Sequence, residues 1–124
     1  MAEEQIEQAF EQALNLRNSG KLEAALDAFS DLEAGGFRHP AILMFLGATL
    51  WELGRLAEAE PYAQETVRLS PMSELASKCL FHILWDSGET AAAVDEIHRF
   101  LSVSESPDYE DILKEISDKG IELV

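Results

Sequence analysis

Apolar residues fall along this chain at intervals of three and four. Ile6, Ala9, Phe10, Ala13, Leu14 and Leu16 keep that spacing, and after a break Leu22, Ala25, Leu26, Phe29 and Leu32 take it up again. Ile42, Leu43, Leu46 and Leu50 are followed in the same way by Leu56, Ala59, Ala63 and Val67. Leu75, Cys79, Leu80, Ile83 and Leu84 are then followed by Ala93, Val94, Ile97 and Leu101. This spacing gathers apolar side chains on one face of a helix, and no stretch alternates as a strand would. The pattern predicts an all-α chain built from pairs of short amphipathic helices.

The breaks inside the pairs recur. Gly20, Gly54 and Gly88 are 34 residues apart, within the related stretches NSGKLEAALDAF, ELGRLAEAEPYA and DSGETAAAVDEI. Five residues after each glycine stands Ala25, Ala59 or Ala93, and four before it Leu16, Leu50 or Leu84. Ala13, Gly47 and Phe81 lie seven before. Small residues let two helices approach closely, and a glycine ends a helix by entering the left-handed backbone region. A fixed register kept through three units is the signature of a repeat array.

The joints between units carry start and stop signals. Ala34-Gly35-Gly36-Phe37-Arg38-His39-Pro40 stops one helix and places proline in the first turn of the next, where its missing N–H does no harm. Ser70-Pro71-Met72-Ser73 and Ser104-Glu105-Ser106-Pro107 repeat the device, with Ser73 and Ser106 as N-caps and Asp108 favouring the positive helix start. Pro61 falls inside a helix, and is expected about one turn in, tolerated or bending it outward. After Pro107 one more helix fits. Tyr109, Ile112, Leu113 and Ile116 form its apolar face, and Glu110, Asp111, Lys114, Glu115, Asp118 and Lys119 its polar back. That is the form of a terminal cap on an array. Gly120 is its stop, and Ile121-Glu122-Leu123-Val124 a tail expected to fold back on it. The chain thus divides into repeats of about 6–39, 40–73 and 74–107, with the cap and tail over 108–124, all in one domain.

Composition narrows the function. A chain of 124 residues is one domain in size. The longest uncharged run, His39 to Trp51, has 13 residues, against the roughly 20 of a membrane span. MAEEQIEQ has neither the basic start nor the apolar run of a secretory leader. A single cysteine, Cys79, forms no internal disulfide and suits a reducing compartment. A cytoplasmic protein is expected. The net charge of −15 repels nucleic acid and anionic membranes, and favours either simple solubility or a basic protein partner.

The period, the glycine turn, the small residues at Ala13 and Gly47, and the alanines Ala25, Ala59 and Ala93 resemble the tetratricopeptide repeat (TPR) family. The middle unit is nearest its pattern, with Leu46-Gly47, Leu50, Gly54, Ala59 and Pro71. The first unit has Phe29 at the aromatic position of the second helix. The third has Phe81 for the small residue and Glu105 for the closing proline. The resemblance implies helix pairs stacked as a right-handed superhelix, an α-solenoid whose first helices, about 3–19, 40–53 and 74–87, line a concave groove. It places Phe10, Leu14, Arg17 and Asn18, then Met44, Ala48, Trp51 and Glu52, then Lys78, His82, Trp85 and Asp86 on that groove. TPR co-chaperones that grip a C-terminal carboxylate use Lys and Asn at positions that here hold Phe10, Leu14, Met44 and Ala48, with only Lys78 basic. An anionic peptide end is therefore not the expected ligand.

Trp51-Glu52 returns as Trp85-Asp86, 34 residues on. Two tryptophans at one phase, each beside an acid, are either a platform for an apolar or cationic side chain or packing between repeats. Cys79, His82 and Asp86 share a helical face without enough convergent ligands for a metal. His39 and His98 join no nucleophilic triad, and phosphate-loop or zinc-protease motifs are missing. The reading is a non-catalytic module without a cofactor or metal, monomeric or weakly dimeric, that binds another protein through Phe10, Arg17, Met44, Trp51, Glu52, Lys78, His82, Trp85 and Asp86. A small bacterial immunity protein neutralising a cognate toxin is the leading specific form. A secretion-type chaperone or adaptor and a self-associating structural subunit are the alternatives.

Overall fold

A computed structural model describes residues 2–121. Among the described residues seven helices follow one another: α1 (Glu3–Asn18), α2 (Leu22–Ala34), α3 (Pro40–Glu52), α4 (Leu56–Leu69), α5 (Glu74–Asp86), α6 (Thr90–Leu101) and α7 (Pro107–Lys119). No strand occurs among the described residues. Pairs α1–α2, α3–α4 and α5–α6 are three hairpins, stacked as a solenoid and closed by α7.

Each hairpin turns by the same backbone device. Gly20, Gly54 and Gly88 take φ of +77°, +77° and +82°, a region that costs any residue with a Cβ. That conformation lets the following N–H reach back five residues. Lys21 donates to the Leu16 carbonyl (2.9 Å), Arg55 to Leu50 (2.8 Å) and Glu89 to Leu84 (2.9 Å). The leucine four before each glycine is thus the acceptor that closes the helix end.

The joints also match their signals. Ser73 Oγ accepts from the Ala76 N–H (3.1 Å) and Ser106 Oγ from the Tyr109 N–H (3.2 Å), with Pro107 in the first turn. His39 serves as cap before Pro40, its Nδ1 accepting from the Ala41 N–H (3.1 Å). Pro61 is exposed, and α4 runs through it. Gly120 ends α7 in the left-handed region, φ +61°. Of the tail, Ile121 bonds back to the Ile116 carbonyl (3.2 Å). The expectation for residues 122–124 lies outside the described residues.

The core runs as one seam between the hairpins, through Ala13, Phe29, Leu46, Ala59, Ile83, Ala93, Ile97, Phe100 and Tyr109, each nearly or wholly inaccessible. Leu75 departs from its predicted place. It is 63% exposed, because the buried face of α5 starts at Ala76 and continues through Ser77, Leu80, Phe81, Ile83 and Leu84. Leu75 instead shares the stripe of Cys79 and His82. Phe81, standing where the other units have a small residue, is buried with its ring edge-on to Tyr109 of α7 (5.9 Å between centroids, 62°). The bulk is absorbed by the cap.

Candidate functional site: the face of the first helices

Helices α1, α3, α5 and α7 lie side by side, and polar links cross each junction. Arg17 of α1 pairs with Glu52 of α3. The Trp51 indole N–H of α3 donates to Asp86 Oδ2 of α5 at 2.6 Å. Lys78 Nζ of α5 meets Asp108 Oδ2 of α7 at 2.5 Å, with Glu74 at 3.7 Å on its other side. Hydrogen bonding to Asp108 holds the Lys78 ammonium above its ordinary pKa.

The first two links have one rule. Residues 17, 51 and 85 occupy one repeat position, and 18, 52 and 86 the next; each donor reaches the acid 35 residues ahead. Glu52 and Asp86 therefore serve the preceding repeat, rather than the tryptophan beside them in sequence. Trp51 and Trp85 also meet different neighbours. Trp51 stacks on the His82 imidazole (5.7 Å, 20°), and Trp85 tilts against Phe81 (5.8 Å, 31°). His82 is exposed and has Phe81 at its edge (5.2 Å, 70°).

Between these links the surface is hydrocarbon and sulfur. Phe10, Leu14, Met44, Phe45 and Ala48 are half-buried. Phe10 packs on Phe29 and Phe45 (5.9 and 5.8 Å), and the Arg17 guanidinium sits 5.4 Å above the Phe45 ring. Cys79 lies among them, and burial pushes its thiol up to about 11, so it stays protonated and unreactive at neutral pH. An open cavity of about 580 Å³ lies at the N-terminal end, lined by Ile6, Phe10, Phe37 and Ile42 with Arg38 and His39 at its rim. Another of about 330 Å³ lies at the opposite end, between Phe81, His82, Trp85, Ile112, Ile116 and Ile121.

A family model for the tetratricopeptide repeat matches residues 10–74. The chain belongs to the tetratricopeptide repeat family. Solved structures of similar fold superpose on most or nearly all of it. The type III secretion chaperone SycD of Yersinia enterocolitica, in complex with a peptide of the translocator YopD, gives a TM-score of 0.78 at 19% identity, over 94% of this chain and 90% of that one. The first TPR of Spaghetti (RPAP3), bound to the HSP90 peptide SRMEEVD, gives 0.80 at 16% identity, over 96% and 95%. MamA of Desulfovibrio magneticus RS-1 gives 0.70 at 18%, over 78% of this chain and 55% of that one. These identities speak for the fold alone. No curated protein matches the sequence.

Within the TPR array, the sequence-predicted residues fall into three groups. Arg17 with Glu52, and Lys78 with its partner on α7, are internal ion pairs. Trp51, His82 and Asp86 form one stacked and hydrogen-bonded unit. Phe10, Met44 and Trp85 are half-buried on the same row of helices. The groove expected from the sequence leaves out Phe45, and Ile112 and Ile116 were expected only as the apolar face of the cap; all three are half-buried on this side. Continuing the 34-residue register from His82 into α7 points to Ile116. Among the described residues no three Cys, His, Asp or Glu side chains converge on a metal geometry, and no helix is long and apolar enough to cross a membrane.

Proposed function

We propose that this TPR protein is a non-catalytic module that binds a polypeptide segment along its concave face. The observation that carries this is the self-sufficiency of the charges there. Arg17, Glu52, Lys78 and Asp86 all have partners within the chain. What is left for a ligand is the apolar row Phe10, Leu14, Met44, Ala48 and Trp85. Such a surface favours apolar side chains presented by an extended or helical segment, since their burial supplies the affinity and misplaced charges are penalised. That SycD and the Spaghetti TPR were solved with peptides supports a peptide as the class of ligand.

Of the specific forms, a chaperone or adaptor that shields an apolar segment of another protein fits the groove better than an immunity protein. Neutralising a basic toxin would draw instead on the excess of acids over bases, and the net charge of −15 is the observation in its favour. The two predict different salt responses, because groove binding is apolar and surface binding is screened.

The test is selection of binding peptides from a random phage-displayed library on the wild-type protein, followed by titration against Met44→Glu and Ala48→Glu. Both positions are half-buried, so helicity should survive, as circular dichroism would show. Binding should fall at least tenfold in each variant, while the acidic peptide SRMEEVD should not bind the wild type. Selected peptides that bind both variants as tightly as wild type would sink the groove reading.

A further inference from the structure

The links between repeats form a series with one member missing. Arg17 answers Glu52 and Trp51 answers Asp86, each donor reaching 35 residues ahead. Trp85 is the third donor of the series. Its acceptor would be residue 120, where α7 ends at a glycine in the left-handed conformation and offers no side chain. Among the described residues the Trp85 indole N–H has no hydrogen-bond partner. The ring is half-buried, and a hydrogen-bonding group in that setting is costly to leave without an acceptor once water is displaced.

The Trp85 side chain borders an apolar socket. Phe81, Ile112, Ile116 and Ile121 wall the cavity of about 330 Å³, close to the lower limit of about 300 Å³ for small-ligand sites. The charges at its rim decide the acceptor. Glu115 and Lys119 line it and pair with each other at 2.7 Å, so among the described residues the lining offers no free cation. A carboxylate arriving here would find no cation to answer it. A neutral carbonyl needs none.

We propose that this socket takes a bulky aliphatic or aromatic side chain of the bound polypeptide, while an adjacent backbone carbonyl of that polypeptide accepts from Trp85 Nε1. The partner thus completes the third link in place of residue 120. This rests on the groove reading and adds the anchor's chemistry: apolar, flanked by uncharged or basic residues.

The two tryptophans make the test direct, since the protein has two indole N–H resonances in a ¹⁵N–¹H spectrum, assigned by Trp51→Phe and Trp85→Phe. The probe is a library-selected peptide whose binding is lost in Met44→Glu. On its addition the Trp85 indole resonance should move downfield and the Trp51 resonance stay in place. Trp85→Phe, which keeps a ring and deletes the N–H, should weaken that peptide by about 5- to 10-fold. Replacing the peptide's anchor residue by Asp should weaken it further. An unmoved Trp85 resonance, or equal affinity for Trp85→Phe, overturns the socket while leaving the groove reading intact. A library that yields no peptide sensitive to Met44→Glu overturns both. Two findings in the free protein would also overturn it. A Trp85 resonance displaced by deleting residues 122–124 makes the chain's own tail the occupant, and one that moves with protein concentration makes it a second copy.

Discussion

The two ends of the array are held by different chemistry. Between the first two repeats the seam is aromatic hydrocarbon: Phe29 stacks on Phe45 (5.8 Å, 9°), and Phe10 closes on both. Between the third repeat and α7 the Tyr109 ring packs edge-on to Phe81 and Phe100, but its hydroxyl joins a buried polar chain. The Ser77 hydroxyl donates to Glu96 Oε2 (2.6 Å), and Tyr109 Oη lies 2.7 Å from Ser77 Oγ. Because Ser77 spends its only proton on Glu96, Tyr109 is the donor to Ser77. Arg99 forks onto both Glu96 oxygens (2.8 and 2.7 Å) and reaches the Pro71 carbonyl at 2.9 Å. The aromatic seam is insensitive to proton concentration and tolerant of small shifts. The polar seam fixes one orientation of the cap, because each member is satisfied only when all are in place.

The contrast can be broken most forcefully at Phe29. Phe29→Ala should cost about 3–5 kcal/mol by urea denaturation, the loss expected for a fully buried aromatic ring, and equally at pH 7 and pH 10. Next comes Arg99→Met, which leaves the buried Glu96 carboxylate with one neutral donor. A loss of about 1–3 kcal/mol is expected, with fraying of α7 visible as faster amide exchange in 107–119 and unchanged exchange in α1. The opposite distribution would show that the cap is held by its apolar face alone.

Proton concentration separates the seams more finely. Burial, with the Glu96 carboxylate adding to it, raises the Tyr109 hydroxyl from 10.0 to about 12. A folded-state value above the unfolded one means the native protein holds its proton more firmly. That stability is complete below pH 10 and falls as pH rises towards 12, by on the order of 1–2 kcal/mol. Tyr109→Phe should flatten that part of the decline, leaving the contribution of Tyr62, which burial and its bond to Glu33 also raise.

The mildest change lies outside both seams. A Cβ at Gly47 would stand 3.4 Å from the Ala63 nitrogen and 3.5 Å from the Ala59 carbonyl oxygen and Tyr62 Cβ, all ordinary contacts. Gly47→Ala should therefore stabilise the protein, by about 0.5–1 kcal/mol from helix propensity. A loss instead would show that the middle hairpin is packed more closely than those contacts allow.

What the sequence made legible was what the backbone encodes locally. The glycine turns, the caps at Ser73 and Ser106 and the apolar faces each depend on a few neighbouring residues. The partners of polar side chains depend on how helices are set against each other, which no single segment specifies. Ser77 and Glu96 look like ordinary surface residues in their own helices, yet both are buried and bonded to each other, and the Tyr109 hydroxyl reaches Ser77 from 32 residues away. The acids Glu52 and Asp86 looked like companions of the adjacent tryptophans for the same reason. Leu75 looked like core because its helix was read alone.

The 35-residue offset has a consequence for how such a chain can grow. Each donor looks to the next repeat and to nothing further, so interactions are nearest-neighbour. A second copy of residues 40–73 placed after Ser73 would bring its own acid for Trp51 and its own indole for Asp86. Duplication would lengthen the groove by one helix and strand no donor in the interior. The open end at Trp85 would simply move outward with the third repeat, which makes whole-unit gain or loss the easiest route by which this array could change the length of segment it holds.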